Sequence, residues 1–332
     1  MNNDEFNRNK WIGQFRKKSW RQLDELLANP TIYSQNHLNC YVDIHKTTSK
    51  VVCSYAYRSY ALTNILPIEN VSNELPGEGL GFIYSKNVAF KALSLYQKQG
   101  GNYIYMDNSY FSKYYDNKIS KFRIIVNDIH PHINNDLVSP VQVELSPWNK
   151  RNDSKLFILI CPPTGTILEL FGVKSNWLEK TVEQIRSKTD RDILIRFKNY
   201  DFMNEEHERR FLKIAKRHHN IYYDKSITDA NLLTLFEGCY AVVAPASGVG
   251  VIAASKGIPV FSEKIGPVAS ISLQDYTLIN DPIYPDREQW INTILNHEFA
   301  LSEIFSGEWL IRLKKIYPMG LKRILHDKIN LL

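Results

Sequence analysis

The chain has 332 residues, of which 44% are hydrophobic and 23% are charged, and its formal net charge is +6. This length favours two domains of ordinary size, and the composition is that of a globular protein rather than a disordered or fibrous one. No apolar run approaches the ~20 residues of a membrane span, and the polar start MNNDEFNRNK does not resemble a signal peptide, so we expect a cytoplasmic protein.

Cysteine and histidine spacing gives no metal motif and no disulfide framework. The four cysteines include no CxxC pair, and adjacent His218 and His219 would point to different sides of a helix. We therefore expect neither a metal nor another bound cofactor. The cysteines are Cys40, Cys53, Cys161 and Cys239.

The N-terminal segment, residues 1–40, is basic and amphipathic. Within it, residues 10–28 mix tryptophan, phenylalanine and leucine with arginine and lysine. One interpretation is a helix whose apolar stripe docks on the rest of the protein while its charges face water. The other is a contact with a phosphate backbone or a membrane surface. The modest net charge allows an anionic partner such as DNA but does not require one.

Residues 41–150 are typical of a first α/β domain. Asn102–Met106 reads as a strand after a Gly-Gly pair, and it delivers Asp107 to its carboxyl end. An acidic side chain at that position suits a general base. It equally suits a carboxylate that caps the following loop, because Asp-Asn is common in turns.

A domain boundary is predicted near residue 150, within a polar stretch that contains two prolines. Beyond it, apolar strands alternate with segments of helical periodicity, which indicates a parallel, doubly wound sheet. The first three predicted strands are 156–161, 192–197 and 220–223. Residues 286–332 are predicted to form C-terminal helices.

The segment CYAVVAPASGVGVIAASKGIPVF, residues 239–261, predicts a fourth strand, a tight loop, a short buried helix and a fifth strand. The loop offers the hydroxyl of Ser247 and two glycines, Gly248 and Gly250, that tolerate positive φ. In a parallel sheet this geometry aims the N–H groups of a helix N-terminus at the carboxyl edge, where anionic ligands bind. We interpret it as half of a nucleotide diphosphate site. The alternative is that this turn, rich in Gly, Ala and Ser, only packs the helix against the strand and binds no ligand.

The combination of ILIRFK with VVAPASGVGVIAASKGIPV resembles glycosyltransferases of the GT-B architecture over residues 156–262. The segments YIYMDNSYF and FRIIVND and the tail PDREQWINTIL resemble phage-encoded members. The resemblance implies two Rossmann-like α/β domains facing a cleft, followed by C-terminal helices. Residues 41–150 would then bind the acceptor, and residues 151–285 would bind a nucleotide-sugar donor.

The resemblance assigns roles to residues at two points of the donor domain. Arg196 and Lys198 match the basic residues that neutralise the donor diphosphate as it leaves, a task that here implies no metal. The other interpretation is that Arg196 and Lys198 lie at a strand end that faces solvent. The loop residues whose N–H groups would meet the same phosphates are Ser247, Gly248, Val249 and Gly250.

One position departs from the family pattern. Many members have an acidic residue that holds the donor ribose where this chain has Ile252. Glu263, just after the last strand, could hold a ribose or sugar hydroxyl instead, although a surface carboxylate fits the sequence equally well. The departure also leaves open a degenerate site that binds without catalysing.

The implied reaction moves a sugar from a nucleotide sugar, with UDP as the expected nucleotide, to an acceptor hydroxyl deprotonated by Asp107. A hydroxymethylated base in phage DNA is one candidate acceptor, flipped out of the duplex and contacted by Arg58, Arg123 and Asn127. The alternatives are a surface glycan or lipid-linked acceptor and a non-catalytic protein that binds nucleotide sugars. Epimerase-type chemistry would need further buried carboxylates.

Overall fold

The structure is a computed structural model of the whole chain. It describes residues 81–84, 93, 103–111, 121–132, 138–139, 143–150, 156–170, 172–198, 204–224, 230–300, 303 and 308–317. The predicted N-terminal segment, residues 1–40, and the predicted acceptor residue Arg58 lie outside the described residues.

The chain divides into two units. Unit 1 comprises Met1–Ser112, Lys118–Pro131 and Asn296–Leu332, and unit 2 comprises Lys113–Asn117 and His132–Leu295. This division differs from the boundary predicted near residue 150. Residues 143–150 belong to unit 2 because their backbone is bound there: Ser146 N donates to Ser255 O at 3.0 Å and Asn149 N donates to Gly257 O at 2.6 Å.

The described residues of unit 2 form a five-stranded sheet. Its strands are β4 (Phe157–Ile160), β5 (Ile193–Ile195), β6 (Ile221–Tyr223), β7 (Cys239–Val243) and β8 (Val260–Phe261). Every pairing is parallel, and the spatial order is β6-β5-β4-β7-β8. All five strands were predicted from their apolar runs, to within a few residues at each end.

Helices connect these strands, as parallel pairing requires. The described helices of unit 2 are α1 (Gly165–Leu170), α2 (Trp177–Arg186), α3 (Asn204–Ala215), α4 (Ala230–Glu237), α5 (Gly248–Ser255) and α6 (Glu288–Asn296). In α2, Leu178, Val182 and Ile185 recur at helical spacing and are fully buried, which explains why this face packs on the sheet. Two 3₁₀ helices, Ala269–Ile271 and Tyr276–Leu278, lie between β8 and α6.

The described residues of unit 1 form a four-stranded mixed sheet. Its strands are β1 (Gly81–Tyr84), β2 (Tyr103–Asn108), β3 (Lys121–Val126) and β9 (Glu298–Ala300). They lie in the order β1-β2-β3-β9, in which the first pair is parallel and the other two pairs are antiparallel. A second Rossmann-like domain is therefore not confirmed, since the described sheet of unit 1 is not doubly wound and parallel.

The C-terminal part of the chain differs from the all-helical prediction. A short strand, β9, follows α6 and pairs with β3 before the chain enters α7 (Glu308–Ile316). Within α7, Trp309, Leu313 and Ile316 are at most 2% exposed and repeat at helical spacing. This apolar stripe gives the segment after residue 296 a buried face within unit 1.

Candidate functional site

The strand order of unit 2 places a topological switch point between β4 and β7. These two strands are neighbours in the centre of the sheet, while β5 and β6 lie on one side and β8 on the other. The connections leave β4 and β7 in opposite directions, and in sheets of this kind ligands bind at the carboxyl edge, where the loops after two such strands part. Residues 161–164 and 244–247 form these two loops.

The second loop ends in a capped helix N-terminus. Ser247 is the N-cap of α5, and its Oγ accepts a hydrogen bond from Val249 N at 3.2 Å. The first turn of α5 carries no charged side chain, so its partial positive charge is not neutralised within the helix. Ser247, Gly248 and Val249 are partly exposed, whereas the rest of the helix is buried. The accessible end of α5 is therefore suited to an anion.

Gly250 has a packing role that the sequence did not reveal. A Cβ at this position would lie 3.3 Å from Val268 Cγ2, 3.4 Å from Val260 Cγ1 and 3.5 Å from Ala244 Cβ. The residue is buried and lets α5 approach β8 closely. Gly250 thus supports the loop, while the positions before it are the accessible ones.

Glu263 is held in place beside this loop. Its Oε1 accepts hydrogen bonds from Trp177 Nε1 at 2.9 Å and from the Tyr276 hydroxyl at 2.8 Å. Its own backbone N donates to Pro245 O at 3.4 Å, which places Glu263 next to the turn before α5. Burial and the neighbouring carboxylate raise the pKa of Tyr276, so its hydroxyl stays protonated as a donor. The carboxylate is therefore fixed rather than a freely rotating surface group.

Gly266 brings the loop after β8 against the same turn. A Cβ there would lie 2.3 Å from Pro245 O and 2.8 Å from Ser262 Oγ. Only glycine allows this close approach without displacement of the backbone. The loops after β7 and β8 consequently pack as one layer at the carboxyl edge.

Arg196 is engaged in an ion pair rather than directed at the α5 N-terminus. Its Nη1 lies 2.8 Å from Asp224 Oδ2, and the two side chains are only 10% and 8% exposed. Asp224 follows β6, on the far side of β5 from β7. Lys198 is exposed on the same loop. Both predicted cations follow β5 at the carboxyl edge of the sheet, and β4 lies between β5 and β7, the strand that precedes α5.

Ile252 is fully buried within α5. An acidic residue at this place would lose its water without reaching a ligand, so the departure from the family pattern agrees with the local packing. Glu263 is a carboxylate at the same edge, and it is held beside the loop by Trp177 and Tyr276.

Thr164 and Cys161 were not singled out as site residues in the sequence. Thr164 Oγ1, at the end of the loop after β4, is buried, has no hydrogen-bond partner among the residues that the structure describes, and lies at the switch point. Cys161 begins the same loop, and burial raises the pKa of its thiol to about 12, so it stays neutral. The signal that could have drawn attention to Thr164 is its place after an apolar strand and a Pro-Pro pair.

In unit 1 the structure brings together two residues that were predicted separately. Arg123 Nη2 lies 2.7 Å from Asp107 Oδ2, and the same oxygen accepts from the Tyr105 hydroxyl at 2.6 Å. Asp107 Oδ1 accepts from Asn108 N at 2.8 Å. Asn127 adopts a φ of 58°, and its Oδ1 accepts from Tyr103 N at 2.8 Å. Asp107, Arg123 and Asn127 are thus all used in binding neighbouring parts of unit 1.

Within the described ranges, no group of three or more His, Cys, Asp or Glu side chains is placed to hold a metal ion. The helices in the part of the chain that the structure describes are also all too short or too polar to cross a membrane.

No protein-family model matches the sequence, and no curated protein is similar enough to count as a relative. Among solved structures, Thermosulfurimonas dismutans KpsC, a beta Kdo 2,4 transferase, is 8% identical and covers 66% of this chain and 80% of its own, with a TM-score of 0.39. Accessory secretory protein 1, 2 and 3 of Streptococcus pneumoniae is 12% identical and covers 54% of this chain and 37% of its own, with a TM-score of 0.30.

A mutant of Thermobaculum terrenum O-GlcNAc transferase is also 12% identical, and the match covers 57% of this chain and 40% of that one, with a TM-score of 0.27. The chain therefore spans less than half of the second and third structures. Two of the three are named as transferases of a sugar. At these TM-scores the likeness by itself assigns no function to this chain.

Proposed function

We propose that the protein is a glycosyltransferase that binds a nucleotide-sugar donor at the carboxyl edge of the unit 2 sheet. The observation that carries the proposal is the capped, uncharged N-terminus of α5 at the switch point between β4 and β7. A diphosphate gains negative charge as it leaves the sugar, and a fixed helix N-terminus stabilises that charge without reorganisation. The sequence resemblance to GT-B enzymes supplies the reaction class.

Within this proposal, Ser247, Gly248 and Val249 contact the diphosphate, and Glu263 accepts a hydrogen bond from a ribose or sugar hydroxyl. Trp177 and Tyr276 both donate to Oε1 of Glu263, so in this proposal the acceptor for the ligand hydroxyl is Oε2. Lys198 adds positive charge at the same edge. Arg196 contributes only if the donor competes with Asp224 for its guanidinium group.

Asp107 is the candidate base for the acceptor hydroxyl. Its carboxylate already accepts hydrogen bonds from Tyr105, Arg123 and a backbone N–H, so an acceptor hydroxyl would replace the Tyr105 hydroxyl at Oδ2. The base would then take the proton of that hydroxyl, whose oxygen forms the new bond to the anomeric carbon as the bond to the diphosphate breaks and the nucleoside diphosphate leaves.

The test of the proposed function is calorimetry and thermal unfolding with UDP, GDP, ADP and CMP and their sugars. A ligand that binds only the native state stabilises it by about 2.7 kcal/mol at 100 times its dissociation constant. We expect one nucleotide series to bind, with UDP the first candidate, and slow hydrolysis of the matching sugar nucleotide. If no member of the panel binds, the donor site and the proposed function are both rejected.

Replacing Glu263 by glutamine is expected to weaken binding of the sugar nucleotide by about 10-fold or more, because the charge-assisted hydrogen bond to a ligand hydroxyl is lost. Glutamine keeps an oxygen that can accept from Trp177 and Tyr276, so the fold should be retained. Calorimetry on the variant and on Glu288→Gln, an exposed carboxylate of unit 2, provides the comparison. Equal affinities of wild type, Glu263→Gln and Glu288→Gln for the sugar nucleotide would exclude Glu263 from the site.

For the acceptor, we propose a hydroxymethylated base in DNA, with a surface glycan or lipid-linked hydroxyl as the rival. The basic residues of the N-terminal segment support both. Binding to duplex DNA that weakens steeply with salt would favour the first, and binding to vesicles that contain anionic lipid would favour the second.

A further inference from the structure

Glu298 is a buried carboxylate at the start of β9, the strand that returns the chain to unit 1. The residue is only 5% exposed, and Oε1 of its side chain accepts a hydrogen bond from Tyr110 N at 2.5 Å. In the sheet it stands opposite Arg123 of β3. It therefore joins three chain segments that are distant in sequence.

No cation forms an ion pair with Glu298 among the described residues, because the two nearby arginines are paired elsewhere. Arg123 Nη2 lies 2.7 Å from Asp107 Oδ2, and Arg312 Nη1 lies 2.7 Å from Glu303 Oε1. Arg312 also donates to the backbone oxygen of Glu298 rather than to its carboxylate. A buried carboxylate without an ion-pair partner favours its neutral form.

Burial raises the pKa of Glu298 from 4.5 to about 7, against the opposing effects of the Tyr110 N–H group and of Arg123. The titratable and charged side chains that interact with it lie after β2, on β3 and on α7, and they are Tyr110, Lys121, Arg123 and Arg312. Asp107 and His130 lie one contact further out, against Arg123 and Tyr110.

The strand that carries Glu298 attaches the C-terminal segment, defined here as residues 296–317, to the sheet of unit 1. Ile124 N donates to His297 O at 2.9 Å, and Phe299 is fully buried opposite Phe122. A further hydrogen bond joins His297 Nε2 and the Tyr317 hydroxyl at 2.9 Å. Loss of the β9 pairing would therefore release residues 298–300 from β3 and weaken the attachment of the segment, which the buried stripe of α7 also supports.

We propose that the C-terminal segment is a pH-sensitive element of unit 1, attached most firmly when Glu298 is protonated and attached more loosely once Glu298 is ionised. This inference does not depend on the proposed glycosyl transfer, because it concerns the attachment of β9 alone.

The direction of the effect follows from the order of the two ionisations. Below pH 4.5 Glu298 is protonated whether the segment is attached or detached, and the attachment is strongest. As the pH rises from 4.5 to about 7 the detached state ionises first, so attachment is progressively lost. Above about 7 both states are ionised, and attachment stays at its lower level. Between pH 5 and 8 the fraction of detached segment should rise on the order of 10- to 100-fold.

Hydrogen–deuterium exchange on the full chain tests this proposal. Amides of residues 298–300, corrected for intrinsic exchange rates, should lose protection between pH 5 and 8 relative to those of β7 in unit 2. In Glu298→Gln, which keeps an acceptor for Tyr110 N, that pH dependence should disappear. Glu308→Gln removes an exposed carboxylate from α7 and should keep it.

The same pH dependence in wild type and Glu298→Gln would overturn the proposal, since His297 and His130 are common to both proteins. A second measurement remains decisive if Glu298→Gln does not fold. Carbon-13 NMR of the wild-type glutamate carboxyl groups should show one titration with a midpoint near 7, assigned to Glu298. A midpoint near 4.5 for that carboxyl would contradict it.

Discussion

Substitution of Gly257 by alanine is expected to lower the free energy of unfolding of unit 2 by about 3 kcal/mol or more. Gly257 follows α5 with a φ of 77°, which is unfavourable for any residue with a Cβ. An added Cβ would also lie 2.0 Å from Pro147 O, so the backbone of residues 146–149 would have to move. That movement would break the hydrogen bonds at Ser146 N and Asn149 N.

Gly172→Ala is the matched control for this substitution. Gly172 has a φ of 63°, but a Cβ there would meet nothing within 4 Å. The control should therefore cost only the backbone strain, about 1 kcal/mol. Urea unfolding of both variants gives the comparison, and equal losses would show that the packing of residues 146–149 against Gly257 is not the cause.

The second large effect is expected for Arg196→Met, at about 3 kcal/mol or more. The substitution leaves the carboxylate of Asp224, which is 8% exposed, buried without its partner. Replacement of both residues, Arg196→Met with Asp224→Leu, should recover most of the loss. Arg210→Met provides the control, because its pair with Glu179 is longer, at 3.3 Å, and more exposed, so the cost should stay below about 1 kcal/mol.

The same variants separate a structural role of Arg196 from a role in donor binding. If Arg196 contacts the diphosphate, the double variant will be stable but will bind the nucleotide sugar at least about 10-fold more weakly than wild type. If its only role is the ion pair with Asp224, the double variant will bind as wild type does. Denaturation and calorimetry on the same preparations distinguish the two.

The parallel sheet of unit 2 could be predicted because its strands are short apolar runs that end at Pro, Gly or polar residues. The run Tyr240–Ala244, stopped by Pro245, is the clearest example, and the structure places β7 there to within a residue. Unit 1 was less predictable. Arg123 interrupts the apolar pattern of β3, and β9 has only three residues, among them the buried Glu298. Strands that contain buried ionisable side chains cannot be predicted from the pattern of hydrophobic residues alone.

The candidate site shows a similar division. Ser247 could be placed at a helix N-terminus because the strand, loop and helix are consecutive in the sequence. The partners of Glu263 could not be predicted, since Trp177 and Tyr276 lie 86 and 13 residues away. The partner of Arg196 was hidden for the same reason, because Asp224 lies 28 residues later and its proximity depends on the pairing of β5 with β6.

The proposed function requires that the end of α5 binds the diphosphate of a nucleotide sugar. Hydrogen–deuterium exchange with a bound member of the nucleotide panel probes this contact amide by amide. We expect added protection at the amides of residues 247–249, the partly exposed end of the helix where the ligand would accept hydrogen bonds, and little change on α3. Binding with no protection at residues 247–249, or protection confined to other parts of the chain, would show that the diphosphate does not bind there.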